Sequence, residues 1–344
     1  MSDTTKIEWC DHSWSPWEGC TKVSPGCLNC YAEARDKRHL FGPESHWGKG
    51  APRRLTKDWQ KPLKWNKSAG VPVAVNWDCR DDCREPAKAY RRQTVFPSVC
   101  DPFDAEAPIE LLARFLQLIR DTPNLDWLLL TKRPELWLGR VEAAIRWCES
   151  NDCKDPDTGC SNLPLRNSLA DWAALRQPPH NVWIGTSVED QQRADERIPA
   201  LLKIPARVRF LSVEPLLGPV RLEHIDAEGS GSAEWCQIDA LTGRQTDMGR
   251  PCPGVPKLDW VIIGGESGRN ARPCNVDWVR SIAQQCQDAS VPCFVKQMGT
   301  RAVVAATRGQ AMPDDFRAFS HPKGGDPSEW PDNLRVRQFP EVKL

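Results

Sequence analysis

The chain has 344 residues, enough for a sizeable core, and is expected to form one large α/β domain over 1–344. Its 46 basic residues balance 46 acidic ones, which excludes a global field that gathers nucleic acid but permits a local basic groove. The start, MSDTTKIEW, lacks signal-peptide character and no apolar run is long enough to span a bilayer, so a cytoplasmic protein without a membrane partner is expected.

The first informative stretch is SWSPWEGCTKVSPGCLNCYAE, in which Cys20, Cys27 and Cys30 form the pattern C-x6-C-x2-C. Gly, Pro and Ser let this loop, about 17–33, wrap around a compact object. In a reducing compartment the 15 cysteines point to metal or redox chemistry before disulfides. Thiolates suit tetrahedral zinc, for which Cys10, His12 or His39 would supply a fourth ligand. They equally suit an iron–sulfur cluster, in which three cysteines leave one iron open to a small molecule. Next, APRRLTKDWQKPLKWNK interleaves Arg53, Arg54, Lys57, Lys61, Lys64 and Lys67 with Trp59 and Trp65, a composition fit either for a phosphate backbone with stacked bases or for a solvated loop whose indoles fold back onto the body.

Six strand-like runs follow, beginning TVFPSVCD at Thr94, DWLLLTKRPE at Asp126, NVWIGTSVED at Asn181, RVRFLSVEP at Arg207, DWVIIGGESG at Asp259 and VPCFVKQMG at Val291. Their near-continuous apolar character predicts a parallel sheet covered on both faces. After the first run, Ile109, Leu112, Phe115, Leu116 and Ile119 repeat at helical spacing. The predicted architecture is a partial (β/α)6-type parallel barrel. Three Cys-containing stretches, about 77–93, 148–180 and 226–256, are expected to be surface insertions with free thiols, and 300–344 an extension packed over the barrel.

Each run ends in polar residues: Asp101 beside Cys100, Lys132 and Arg133, Ser187 and Glu189, Glu214, Glu266, and Lys296 with Gln297. In parallel α/β folds the carboxyl ends of the strands open onto the ligand site, so these residues are expected around one mouth. Lys296 could bind a phosphate, donate a proton, or neutralise Glu266 or Glu214. Cys100 is a candidate hydrogen-atom donor, or a simply buried thiol, and Glu266 presents a carboxylate beside paired glycines.

The three-cysteine loop ending CLNCYAE and followed by repeated βα units resembles the radical S-adenosylmethionine superfamily; together with LLLTKRPE, GTSVEDQ, SVEPLLGP, WVIIGGESG and VKQMG it is most similar to an uncharacterised three-cysteine family of phages and prophages. The superfamily's commonest spacing is C-x3-C-x2-C, from which this chain departs by a longer first gap and by Asn29 in place of an aromatic residue. The resemblance implies a [4Fe–4S] cluster on Cys20, Cys27 and Cys30, whose open iron chelates S-adenosylmethionine. It further implies Asp101 and Glu214 toward that cofactor's amino group or ribose, Ser187 and Glu189 toward the ribose, and Lys132 or Arg133 toward its carboxylate. An electron donor such as flavodoxin or ferredoxin is implied as well. The expected substrate is a nucleotide or nucleic acid, by analogy thymidine hypermodification in phage DNA or repair of a pyrimidine lesion, in the host cytoplasm if the chain is phage-encoded. Two other classes remain open: a zinc-stabilised nucleic-acid-binding protein without catalysis, and a magnesium-dependent nuclease using Asp101, Glu214 and Glu266.

Overall fold

The computed structural model describes residues 5–38, 44–69, 92–150, 163–227, 236–247, 249–304 and 318–342. A seven-stranded parallel sheet curls into a half-barrel, each strand lying beside its predecessor in the chain. The strands are β1 (His12–Ser13), β2 (Gln93–Phe96), β3 (Leu125–Thr131), β4 (Val182–Ser187), β5 (Val208–Val213), β6 (Trp260–Gly264) and β7 (Cys293–Gln297). The last six are the runs expected from sequence. β1 is additional; two residues pairing His12 with Val95 and Ser13 with Phe96 are too short to show a pattern.

Seven helices are found among the described residues: α1 (Tyr31–Asp36), α2 (Gln60–Ser68), α3 (Ile109–Asp121), α4 (Trp137–Ser150), α5 (Leu163–Ala173), α6 (Gln191–Leu202) and α7 (Val276–Asp288). The spacing of apolar residues in α3 is realised, with Leu112, Phe115, Leu116 and Ile119 buried. The predicted insertion at 148–180 is corrected at both of its described ends. Cys148 is fully buried in α4, and α5 buries Leu165, Leu169 and Trp172, so these parts belong to the core. Of the stretch 77–93, residues 77–91, with Cys79 and Cys83, lie outside the described residues, and Gln93 already belongs to β2. Between β5 and β6, where a crossover helix would stand, the chain forms a four-stranded antiparallel sheet from Ile225–Ala227, Cys236–Asp239, Arg244–Asp247 and Arg250–Cys252.

The half-barrel strands are apolar on both faces because both are covered, yet the faces divide with period two. Val95, Trp127, Leu129, Ile184, Leu211, Val213, Val261, Ile263 and Val295 join the helix-covered core. Phe96, Leu128, Trp183, Phe210, Trp260, Ile262 and Phe294 point inward and, with Trp9, fill the concave side as a second cluster. Its indoles and phenyls meet edge-on, as at Trp183–Trp260 with centroids 6.1 Å apart. Gly185 on β4 makes room for this plug: a Cβ there would lie 2.5 Å from the Phe210 ring. The C-terminal segment covers the free edge of β7, with the amide of Val295 donating to the Val336 carbonyl and that of Gln338 to the Cys293 carbonyl, both at 2.8 Å. Trp330 and Leu334 of this segment enter the core, which makes the extension an integral layer.

Candidate active site

Above the aromatic plug, at the carboxyl ends of the strands, the inward face turns small and polar. The alternation that points Phe96, Leu128, Trp183, Phe210 and Ile262 inward carries Cys100, Lys132, Ser187, Glu214 and Glu266 to the same side, and all of these line one cavity of about 690 Å³. Cys20, Cys27, Cys30, Asp101, Arg133, Lys296 and Gln297 line it too, with Trp9, Phe96 and Leu130 at its apolar floor. The volume lies within the range of small-molecule sites, about 300–1,000 Å³. Of the thirteen residues expected around the site from sequence, Glu189 alone is absent from the lining.

The cysteine loop leaves β1 through Trp17–Glu18, which pairs antiparallel with Arg54–Leu55. Gly19, at φ 124°, passes so close to its neighbours that a Cβ would sit 2.4 Å from the His46 carbonyl oxygen. A single 3-10 turn, Pro25–Cys27, follows, and Cys30 caps α1. Charged groups from several strand ends hold this loop. The Arg133 guanidinium donates to the Cys20 sulfur from both terminal nitrogens, at 3.6 and 3.7 Å, and to the Thr21 carbonyl. Arg53 donates to the Thr21 hydroxyl at 2.8 Å and to Asp104 at 2.7 Å. The Glu189 carboxylate accepts the Gly26 amide at 2.9 Å and pairs with Arg197 at 3.0 Å. Glu266 pairs with Arg272 at 2.6 Å and accepts from Asn29 at 3.0 Å, while Arg272 donates to the Pro25 carbonyl at 2.9 Å.

These contacts engage four of the expected residues. Asp101 accepts from Phe103, Thr131, Lys132 and Arg133, at 2.6–3.0 Å, which fills the acceptor sites of both oxygens. It therefore fixes Arg133, and no lone pair remains for a cofactor amine. Arg133 is committed to Cys20, Thr21 and Asp101, whereas the Lys132 side chain of the same strand end lines the cavity. Glu189 and Glu266, expected at the ribose and in catalysis, both accept hydrogen bonds from the cysteine loop, at Gly26 and Asn29 respectively. Burial alone would raise both carboxyls, but Ser24, Arg197 and the Gly26 amide hold Glu189 below its ordinary value, and Arg272 with Asn29 does the same for Glu266.

Lys296 neutralises Glu214, at 2.7 and 3.0 Å to its two oxygens, and Gln297 donates to the same carboxylate at 3.3 Å. Burial pushes the Cys100 thiol well above its ordinary value, with Asp101 adding to the shift. The Cys20 thiol is likewise pushed up to about 12, by burial first and by Asp101 second, and Arg133 opposes the rise. Sequence reasoning passed over Ser212, which β5 aims into the cavity two residues before Glu214, and Tyr31, an exposed residue whose hydroxyl donates to the Ser98 carbonyl. For Ser212 the parity of the strand was the available signal.

The soft donors at the loop are three thiols, which are not gathered into a preformed metal group. Among the described residues no three His, Cys, Asp or Glu side chains gather to hold one metal ion. Cys10 is buried in the inner aromatic cluster and His12 stacks on Trp65 with centroids 4.1 Å apart, so neither closes a tetrahedron with the three thiols; His39 lies outside the described residues. Asp101, Glu214 and Glu266 are each engaged by a cation, Arg133, Lys296 and Arg272 respectively, which disfavours magnesium among them. Three soft donors on a clamped loop facing a cavity large enough for a second ligand suit an iron–sulfur cluster with an open site.

Of the two readings of the basic stretch, the one with its indoles folded back onto the body is found. Arg53 is fully buried against Asp104, Arg54 pairs with Glu18 at 2.8 Å, and the indoles of Trp59 and Trp65 fold into the body, leaving no aromatic face there for bases. Lys57, Lys64 and Lys67 are exposed, and Lys61 lies over the Trp65 ring. No helix among the described residues is long and apolar enough to cross a membrane.

A family profile described as "Protein of unknown function (DUF5131)" matches residues 4–314, and the chain belongs to that family. No curated protein and no solved structure matches the chain.

Proposed function

We propose that this member of a family without an assigned activity is a radical S-adenosylmethionine enzyme of isomerase or lyase type, acting on a nucleotide or nucleic acid in the cytoplasm. One observation carries the reading: Cys20, Cys27 and Cys30, on a loop clamped by Arg133, Glu189 and Arg272, open into the cavity at the carboxyl ends of the parallel sheet. Those thiols would hold the [4Fe–4S] cluster, which with S-adenosylmethionine and an electron from flavodoxin or ferredoxin supplies a 5′-deoxyadenosyl radical. The protein's own residues then bind and orient. Lys132 offers a cation to the cofactor carboxylate, and Ser187 and Ser212 offer hydroxyls from the inward face. The Lys296–Glu214 pair sets a fixed dipole at the substrate side, and Cys100 keeps its proton at neutral pH, as a hydrogen-atom donor requires. The aromatic plug closes the floor of the cavity against water.

The test is anaerobic reconstitution with iron and sulfide, metal analysis, and incubation with dithionite and S-adenosylmethionine. About four irons per chain and formation of 5′-deoxyadenosine are expected, both lost in Cys27→Ala. A colourless protein with one zinc, or equal product from that variant, removes the proposal.

A further inference from the structure

After β7 the polypeptide returns in the loop His321–Gly325, sequence HPKGG, which is tied to the strand end. The Gly299 amide donates to the Lys323 carbonyl at 3.0 Å, the Met298 amide to the Gly324 carbonyl at 2.9 Å, and the Trp330 indole to the same carbonyl at 3.0 Å. Gly324 has φ +57°, and a Cβ there would lie 2.9 Å from the Gly299 oxygen, so the turn needs glycine. Within the loop, Nδ1 of His321 accepts the amides of Lys323 at 3.2 Å and Gly325 at 2.9 Å. A nitrogen that accepts two amides carries no proton, so the neutral ring bears its hydrogen on Nε2.

His321, Lys323 and Gly325 line the cavity, as do Lys6, from the segment before β1, and Lys132. The other charged lining residues are neutralised in pairs: Lys22 with Glu33, Arg133 with Asp101, Lys296 with Glu214, Glu8 with Arg337 and Glu266 with Arg272. Lys6, Lys132 and Lys323 form no ion pair among the described residues. The acids nearest the loop in sequence, Asp326 and Glu329, lie outside the lining, and both already accept hydrogen bonds, from Ser328 and from the His321 amide. A concave site with surplus cations and an apolar floor draws an anion. Tyr31, exposed and lining the same cavity, offers a ring face on which a base can stack.

We infer that Lys323, His321 Nε2 and Lys6 form the phosphate-binding part of the substrate site, so that the substrate is a phosphorylated nucleoside, free or within a single strand, rather than a free base or nucleoside. The inference rests on the cavity being the active site, and it moves phosphate recognition from the ion-paired Lys296 to a loop that the sequence patterns did not single out. Side-chain removal at Lys323 spares the fold, because the backbone of that residue makes the anchoring bonds.

The test is calorimetric titration of the anaerobically purified full chain with each of the four deoxynucleoside 5′-monophosphates, the matching nucleosides, and short single-stranded oligodeoxynucleotides. At least one phosphorylated probe should bind about tenfold or more tighter than its nucleoside, and Lys323→Ala and His321→Ala should each remove most of that gain while Lys323→Arg retains it. Binding by a mononucleotide identifies the free nucleotide as the source of the phosphate, and binding by the oligonucleotide alone identifies a strand. Equal binding of nucleotide and nucleoside, no binding by any phosphorylated probe, or wild-type affinity in both alanine variants overturns the inference. Those results beside intact 5′-deoxyadenosine formation would leave the radical proposal standing, whereas phosphate binding in a protein that forms no 5′-deoxyadenosine would overturn only the latter.

Discussion

Arg133 aims both terminal nitrogens at the Cys20 sulfur, at 3.6 and 3.7 Å, while one of them also donates to Asp101 at 2.6 Å. A cluster ligand held this way would have its negative charge offset by two N–H donors, and such hydrogen bonds raise a cluster's reduction potential. In Arg133→Met the cluster midpoint, followed by electron paramagnetic resonance in a redox titration, is expected to move to a more negative potential. The same change strands the buried Asp101 carboxylate and should cost about 3–5 kcal/mol in urea unfolding. Arg133→Lys keeps a charge without the planar fork and should fall between the two.

Gly26 sits against the Glu189 carboxylate, and a Cβ would lie 2.9 Å from its carbon. In Gly26→Ala the acid must retreat toward Arg197, to which it is already bonded, and the loop loses its amide contact. The expected result is a stability loss of about 1–3 kcal/mol and a lower iron content after reconstitution. Gly139→Ala, in α4, where a Cβ would meet nothing within 4 Å, is the control and should leave the iron content unchanged and the stability equal or up to about 1 kcal/mol higher.

The half-barrel was legible because its strands are near-continuous apolar runs, and the cavity residues were legible because those runs end in charge. A finer signal was also present. Counting in twos from the buried Leu128, Trp183, Phe210 and Ile262 reaches Lys132, Ser187, Glu214 and Glu266, all of which line the cavity, although the same parity also reaches Glu189, two places beyond Ser187, which does not. The roles of Asp101, Glu189 and Glu266 were not legible, because their partners stand far off in the chain or in other elements: Gly26 is 163 residues from Glu189, and Asn29 is 237 from Glu266. Spacing alone left open whether Trp59 and Trp65 turn inward or face bases, since the partners that settle it, Trp14 and His12, are brought alongside only by the fold.

Acid should loosen the cysteine loop before the sheet. Glu266 and Glu189 both have carboxyls held below the ordinary 4.5, so the unfolded chain takes up these protons first as pH falls. Their contribution is complete above that ordinary value and disappears as pH falls through the depressed folded values. The metal-free protein should therefore lose urea stability progressively below about pH 4.5, and Glu266→Gln, which cannot titrate, should show a shallower decline. Hydrogen exchange of the Gly26 amide, which donates to Glu189, reports the local event.

Cys20 offers a chemical check on the burial of the loop. Its thiol titrates at about 12 rather than 9.0, with burial the main cause, so at pH 8 its thiolate fraction in the metal-free protein is roughly a thousandfold below that of an ordinary cysteine. Because the folded value is raised, the associated stability is complete below 9.0 and is lost as pH rises toward 12. Iodoacetamide labelling read by mass spectrometry should show Cys20 reacting far more slowly than an unfolded control at pH 8, and urea should abolish the difference. Arg133→Met removes the one nearby cation that lowers the Cys20 value, and should slow labelling further in whatever fraction stays folded. Rapid labelling of Cys20 in the folded wild type would show that the thiol is solvated rather than buried.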